Sequence, residues 1–176
     1  MNPLRPRYGK IEKLVEGLLS EARIVGPAVP IEKLLRKHCI DLKVGHLEDV
    51  SGLLVRSAES AMIGVNASHP EVRKRFTIAH EFGHYMLHAG ISAHYDRDYR
   101  INFRSRESSE ATNIEEIEAN FFAASILMPK HFLDRDQAVM ALDNDEEVAK
   151  LAKKYNVSRH AMSLRLGNVY RVYKPF

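Results

Sequence analysis

Arg75-Phe76-Thr77-Ile78-Ala79-His80-Glu81-Phe82-Gly83-His84, running on through Tyr85-Met86-Leu87-His88, is the stretch on which the fold of this 176-residue chain turns. Residues 70 to 88 read as a helix that is apolar on nearly every side, with Phe76, Ile78, Ala79, Phe82, Tyr85, Met86 and Leu87 spread around it. Such a helix belongs in the interior, where two histidines and a glutamate are costly to bury without partners. The spacing H-E-x-x-H offers a partner. Residues four apart stand one above the other on a helical face, so His80 and His84 can converge on one tetrahedral ion. Glu81 reaches a water on that ion without taking a coordination place, and accepts its proton as a general base. With nine histidines in the chain, shuffling the composition produces this pattern in roughly one chain in twenty-five. The buried setting therefore has to carry part of the weight. The competing reading has His80 and His84 as hydrogen-bonded core histidines.

A catalytic zinc site takes three protein ligands and keeps one position open. His88 extends the spacing to eight residues, but eight residues climb about 12 Å along a helix, too far to share an ion with His80. The longer pattern H-E-x-x-H-x-x-G-x-x-H fails too, with Leu87 and Gly90 where Gly and His should stand. His88 is expected to pack, or to hydrogen-bond behind a ligand. The better source of a third ligand is Asn113-Ile114-Glu115-Glu116-Ile117-Glu118-Ala119-Asn120. Glu116 and Asn120 share a helical face, so Glu116 can ligate while Asn120 bonds a ligand histidine and fixes its ring. Glu118 is the alternative ligand. Otherwise Glu115 and Glu118 are expected to be solvated carboxylates.

Outward from this centre, Ile11, Leu14, Val15, Leu18 and Leu19 recur at three- and four-residue steps and predict an amphipathic helix from Lys10 to Ile24. A short helix is expected after Pro30, with Ile31, Leu34 and Leu35 inward. Three strand-like runs, Asp41 to His46, Gly52 to Arg56 and Met62 to Asn66, predict a small antiparallel sheet. Residues 92 to 112 are polar without a steady period and read as a long loop. A second strong helix is predicted from Asn113, as N-cap, to Leu127 ahead of Pro129. Lys130 to Leu142, Glu146 to Tyr155 and Ser158 to Val169 read as three short helices. The expected class is α+β and mostly helical, with a catalytic-type domain over 1–130 and a C-terminal helical segment, 131–176, packed on it.

Hydrophobic residues at 45% and charged residues at 28% are an ordinary globular balance. No apolar run approaches the roughly 18 residues that cross a bilayer, so no membrane partner is expected. The N-terminus leads into an amphipathic stretch rather than a signal-peptide core. The single Cys39 leaves no internal disulfide framework. A cytoplasmic location is the expectation. The net charge of +3 is unevenly distributed: from Val148 to Phe176 there are seven basic residues and no acidic one. Leu151 to Leu166 has the cadence of a helix-turn-helix, with its turn at Asn156-Val157. It is read as a packing element or a docking surface for a protein substrate, with contact to DNA phosphates as the alternative.

Arg75 to His84, closing in Leu87-His88, resembles the active-site helix of the ImmA/IrrE family of metallopeptidases. Glu116-x-Glu118-Ala119-Asn120-x-Phe122-Ala123-Ala124, ending in Leu127-Met128-Pro129, is similar to that family's second signature. Val50-Ser51-Gly52-Leu53-Leu54 and Ile63-x-Val65-Asn66 are similar to its strand pair. The resemblance spans roughly residues 10 to 130. It implies a zincin-like fold with His80, His84 and Glu116 as zinc ligands, manganese being the other metal considered, and Glu81 as the catalytic base. It also implies an endopeptidase that cuts helix-turn-helix repressors of the Xre type. The edge Gly52 to Val55 is expected to pair with an extended substrate. His94, Tyr95 and Tyr99 are the group from which an oxyanion donor is expected. The competing functions are a DNA-binding regulator with a non-catalytic metal site, and a peptidase acting on a toxin–antitoxin partner.

Overall fold

The structure is a computed structural model, described here for residues 5–89, 93–96 and 110–170. Along the chain it runs α1 (Tyr8–Glu21), α2 (Ile31–Lys37), β1 (Ile40–Gly45), β2 (Gly52–Arg56) and β3 (Ala61–Asn66). The helix of the histidine motif follows as α3 (Glu71–Leu87), then β4 (Ala93–Asp96) and α4 (Glu110–Leu127). The chain continues through α5 (Lys130–Arg135), a 3-10 turn at Ala138–Ala141, α6 (Asp145–Tyr155) and α7 (Arg159–Tyr170). The class is α+β and mostly helical, as the periodicities predict.

The apolar stripe of α1 is buried as expected at Ile11, Val15, Leu18 and Leu19, and α1 packs against α4. In α2, Ile31, Leu34 and Leu35 turn inward. The sheet departs from the prediction. Its order is β1-β3-β2-β4, and it is mixed rather than antiparallel. β1 pairs parallel to β3, from Ile40 opposite Ala61 to Gly45 opposite Asn66. β2 and β3 pair antiparallel, as expected. The reason lies in the 46–51 connection, which arches over the end of β3 instead of turning tightly into β2. Asn66 secures that arch: its Nδ2 donates to the carbonyls of Glu48 at 3.2 Å and Val50 at 3.0 Å. Those are carbonyls that a strand ladder would otherwise satisfy.

The second departure is β4. It lies inside the segment read as a loop and pairs antiparallel with β2, placing Leu54 opposite His94. β2 is therefore an interior strand, and the edge expected at Gly52 to Val55 is not exposed. Among the described residues the sheet edges are β1 and β4. Helix α4 begins three residues ahead of Asn113, which lies within it.

Helices α3 and α4 pack closely side by side, and Gly83 is the reason they can. A Cβ there would meet Phe122 Cδ1 at 3.1 Å and the Ala119 Cα and carbonyl oxygen at 3.2 Å. On the other side of α3, the Gly52 backbone comes so close that a Cβ would overlap the Thr77 methyl and lie 3.3 Å from Glu81 Oε1. The motif helix is thus held between strand and helix by two glycines.

The run from Lys130 to Leu142 is broken rather than one helix. Gln137 adopts a left-handed conformation with φ of 53° and separates α5 from the 3-10 turn. Asn144 caps α6 through bonds from the Glu146 and Glu147 amides, and Asn156 ends it with φ of 53°. One continuous buried cluster runs from Ile11 in α1 to Leu166 in α7. Buried arginines bind its parts together. Arg75 donates to the carbonyls of Val29 at 2.9 Å and Asn156 at 3.2 Å. Arg165 donates to Met128 O at 3.1 Å. Among the described residues no helix is long and apolar enough to cross a membrane.

Candidate metal centre

His80 and His84 lie one turn apart on the buried face of α3, and their Nε2 atoms stand 3.1 Å from each other. Glu116, from the adjoining α4, brings Oε2 to 3.4 Å from His80 Nε2 and Oε1 to 3.3 Å from His84 Nε2. Among the described residues these three form the group of donors able to hold a metal ion, with their ligand atoms all within 4.8 Å of one another.

The surrounding bonds decide what those atoms are. His80 Nδ1 meets Asn120 Oδ1 at 3.1 Å. Taken as the amide oxygen, Oδ1 accepts from Nδ1–H and leaves Nε2 of the neutral ring with a bare lone pair. His84 Nδ1 meets His88 Nδ1 at 3.1 Å, and His88 Nε2 meets Glu118 Oε2 at 3.2 Å. Burial pushes the His84 imidazole down to about 3 and lowers that of His88 as well, so both rings are neutral. With both rings carrying their proton at Nδ1, His80 Nε2, His84 Nε2 and the Glu116 carboxylate face one another as acceptors. Such an arrangement is repulsive by itself and matches the donor set of a divalent cation such as zinc.

Glu81 is fully buried beside this group. Its Oε2 accepts from His94 Nδ1 at 3.0 Å, while Oε1 has no hydrogen-bond partner. His94 reaches the centre from β4 because its cross-strand neighbour, Leu54, is fully buried on the face turned inward. Its Nε2 donates to Glu116 Oε1 at 2.9 Å, and its ring stacks on that of His84 with centroids 3.9 Å apart. Burial favours the neutral form of His94, but the carboxylates of Glu116 and Glu81 outweigh it and raise the imidazole to about 10. Burial likewise opposes the charge on Glu116, yet the imidazoles of His80, His84 and His94 around it hold the carboxyl far below its ordinary range.

The predicted site residues are thus brought together: His80, Glu81, His84, Glu116 and Asn120 at the centre, with His88 directly behind His84. Glu118, the alternative third ligand, stands outside the donor group and is not a solvated carboxylate. It is buried and paired with Arg7 and His88. Arg7 carried no signal in the sequence, since its partner lies 111 residues away. Of the oxyanion group, His94 stands at the centre; the Tyr95 side chain and Tyr99 lie outside the described residues. Of the seven basic residues of the tail, three are engaged within the chain, and Arg171 and Lys174 lie outside the described residues. Lys150 pairs with Glu146 and Glu147, Lys154 with Asp136, and Arg165 is buried. Lys153, Arg159 and His160 remain exposed at the α6–α7 turn.

A helix pair presenting two histidines and a glutamate beneath a small mixed sheet, with a second glutamate alongside, defines a metallopeptidase-like domain. Residues 41–167 match the family model described as the IrrE N-terminal-like domain, and the chain belongs to that peptidase family. Among solved structures, a Mycobacterium tuberculosis transcriptional regulator is similar in fold, with a TM-score of 0.66 at 15% identity. The alignment covers 96% of this chain and 49% of the regulator, so the chain spans about half the length of that protein. No curated protein matches the sequence.

Proposed function

We propose that the chain is a zinc-dependent endopeptidase whose substrate is a helix-turn-helix repressor of the Xre type. One observation carries the reading: two imidazole Nε2 atoms and a carboxylate converge in a buried site beside a glutamate with one oxygen free. His80, His84 and Glu116 would hold the ion, a three-ligand set that leaves a place open, as catalytic rather than structural sites do. A zinc ion, or manganese in its place, supplies a Lewis acid that lowers the pKa of a water to about 7.

The chain's own residues do the rest. Glu81 accepts the proton of the attacking water and delivers it to the nitrogen of the leaving amine. Asn120 holds the His80 ring, and His88 holds that of His84. His94, bonded to Glu81, orients the base. The sheet edge beside this group is β4, so an extended peptide is expected to add there rather than at β2.

The choice of repressor as substrate rests on the family resemblance alone. The exposed Lys153, Arg159 and His160 support a second reading, a regulator that touches DNA directly. Against it stand the internal pairing of Lys150 and Lys154 and the burial of Arg165. The test is incubation of the protein with a purified Xre-type repressor, with zinc or with chelator, beside Glu81→Gln. Zinc-dependent cleavage that the variant lacks supports the peptidase. A DNA shift without cleavage supports the regulator. Cleavage confined to an antitoxin-like partner would redirect the substrate.

A further inference from the structure

Glu118 is a buried charge that the chemistry above does not use. It is 1% exposed and sits two residues past Glu116, turned away from the donor group. Arg7, just ahead of α1, closes on it. The Arg7 backbone amide donates to Oε1 at 2.7 Å, Nε donates to Oε1 at 2.9 Å, and Nη2 donates to Oε2 at 2.5 Å. Oε2 also meets His88 Nε2 at 3.2 Å. A carboxylate can only accept, so the His88 proton is fixed at Nε2. The other nitrogen of neutral His88 is then bare and faces His84 Nδ1 at 3.1 Å. That contact is a hydrogen bond when His84 carries its proton at Nδ1. His84 Nε2 is left with its lone pair aimed at His80 and Glu116.

We propose that Arg7, Glu118 and His88 form a relay of positioning residues that fixes the tautomer of His84 and thereby strengthens the grip of the centre on a divalent cation. The inference rests on the metal-centre reading above and extends it to the N-terminal segment. The two histidines are held differently. His80 is oriented by one neutral amide, Asn120, whereas His84 is oriented by a chain that ends in an ion pair. With the opposite tautomer, His84 would present N–H to the place where the cation sits, and binding would first have to reverse it. Arg7 also reaches Leu87 O at 3.4 Å, so it ties the end of α3 to the middle of α4, and a purely structural role has to be separated from the relay.

The experiment uses the full chain with Zn²⁺ and Co²⁺ as probes. His88→Phe breaks the relay and should weaken the affinity for both ions about 10- to 100-fold. His88→Gln can accept from His84 through its carbonyl and donate to Glu118 through its amide, and should stay within about threefold of wild type. Glu118→Gln turns an amide donor toward Arg7 or His88 and should behave like His88→Phe. Nitrogen-15 NMR of histidine-labelled, metal-free wild type should find His84 protonated at Nδ1. That readout needs no variant and holds even if His88→Phe does not fold. His84 protonated at Nε2 would overturn the relay. So would a folded His88→Phe protein that binds as tightly as wild type, or a His88→Gln protein no better than the Phe variant. If wild type takes up neither ion, the metal-centre reading falls and the relay with it. If wild type and all variants bind alike, the relay alone falls.

Discussion

Glu81 has a buried carboxylate oxygen that meets no donor, beside the imidazoles of His80 and His84 and a second carboxylate. On the proposed reading its role is in the reaction and not in holding the ion. Glu81→Gln is therefore expected to keep metal affinity while lowering repressor cleavage by about 10²–10⁴-fold, measured by turnover and metal titration on the same preparation. Glu116→Ala removes a ligand. Its loss of zinc affinity should exceed the roughly 10- to 100-fold typical of losing a supporting residue, read by competition with a chromophoric chelator. The donor group was legible in the sequence because helical spacing alone puts His80 with His84, and Glu116 with Asn120. Glu118 was misread as solvated because the wheel shows only that it faces away from Glu116. What it faces, Arg7, is set by tertiary packing across 111 positions. His94 could be named only as one of several polar residues, since the strand that aims it has no period of its own.

Between elements, the contact that places Glu116 opposite the histidines is the approach of α4 to Gly83. A methyl group there must push against Ala119 backbone and the Phe122 ring. Gly83→Ala should cost about 1–3 kcal/mol of stability, as overpacking does, and should loosen zinc binding as α4 moves away. Urea unfolding with parallel metal titration checks both parts. The helices were predicted closely because 3.6-residue periodicity is local. Two features of the sheet were not. Alternation identifies strands but not their order, and the parallel pairing of β1 depends on an arch held by Asn66. β4 is four residues long in a polar stretch, too short for alternation to mark it. The break at Gln137 escaped because a left-handed glutamine carries no compositional sign.

Across the whole molecule, a single buried cluster joins the site-bearing helices to α6 and α7, so local changes are expected to register in global unfolding. Asp136 shows this outside the site. Burial pushes its carboxyl up, but bonds from Lys154 at 2.7 Å and the Tyr155 hydroxyl at 2.8 Å outweigh that and hold it below its ordinary value. The folded-state pKa thus lies below the unfolded one. The contribution is present above about pH 4 and fades as pH falls further. Asp136→Asn should lower Tm near neutral pH and reduce the Tm lost between neutral pH and about pH 3, measured by thermal melts at both. A cation that binds only the folded chain should also raise Tm with concentration, by about 2.7 kcal/mol of stability at one hundred times its Kd. The most direct test of the central claim is metal content. Protein supplied with zinc, dialysed and analysed by elemental mass spectrometry, should hold one ion per chain, lost in His80→Ala and Glu116→Ala. Wild-type protein with no stoichiometric ion would contradict the account.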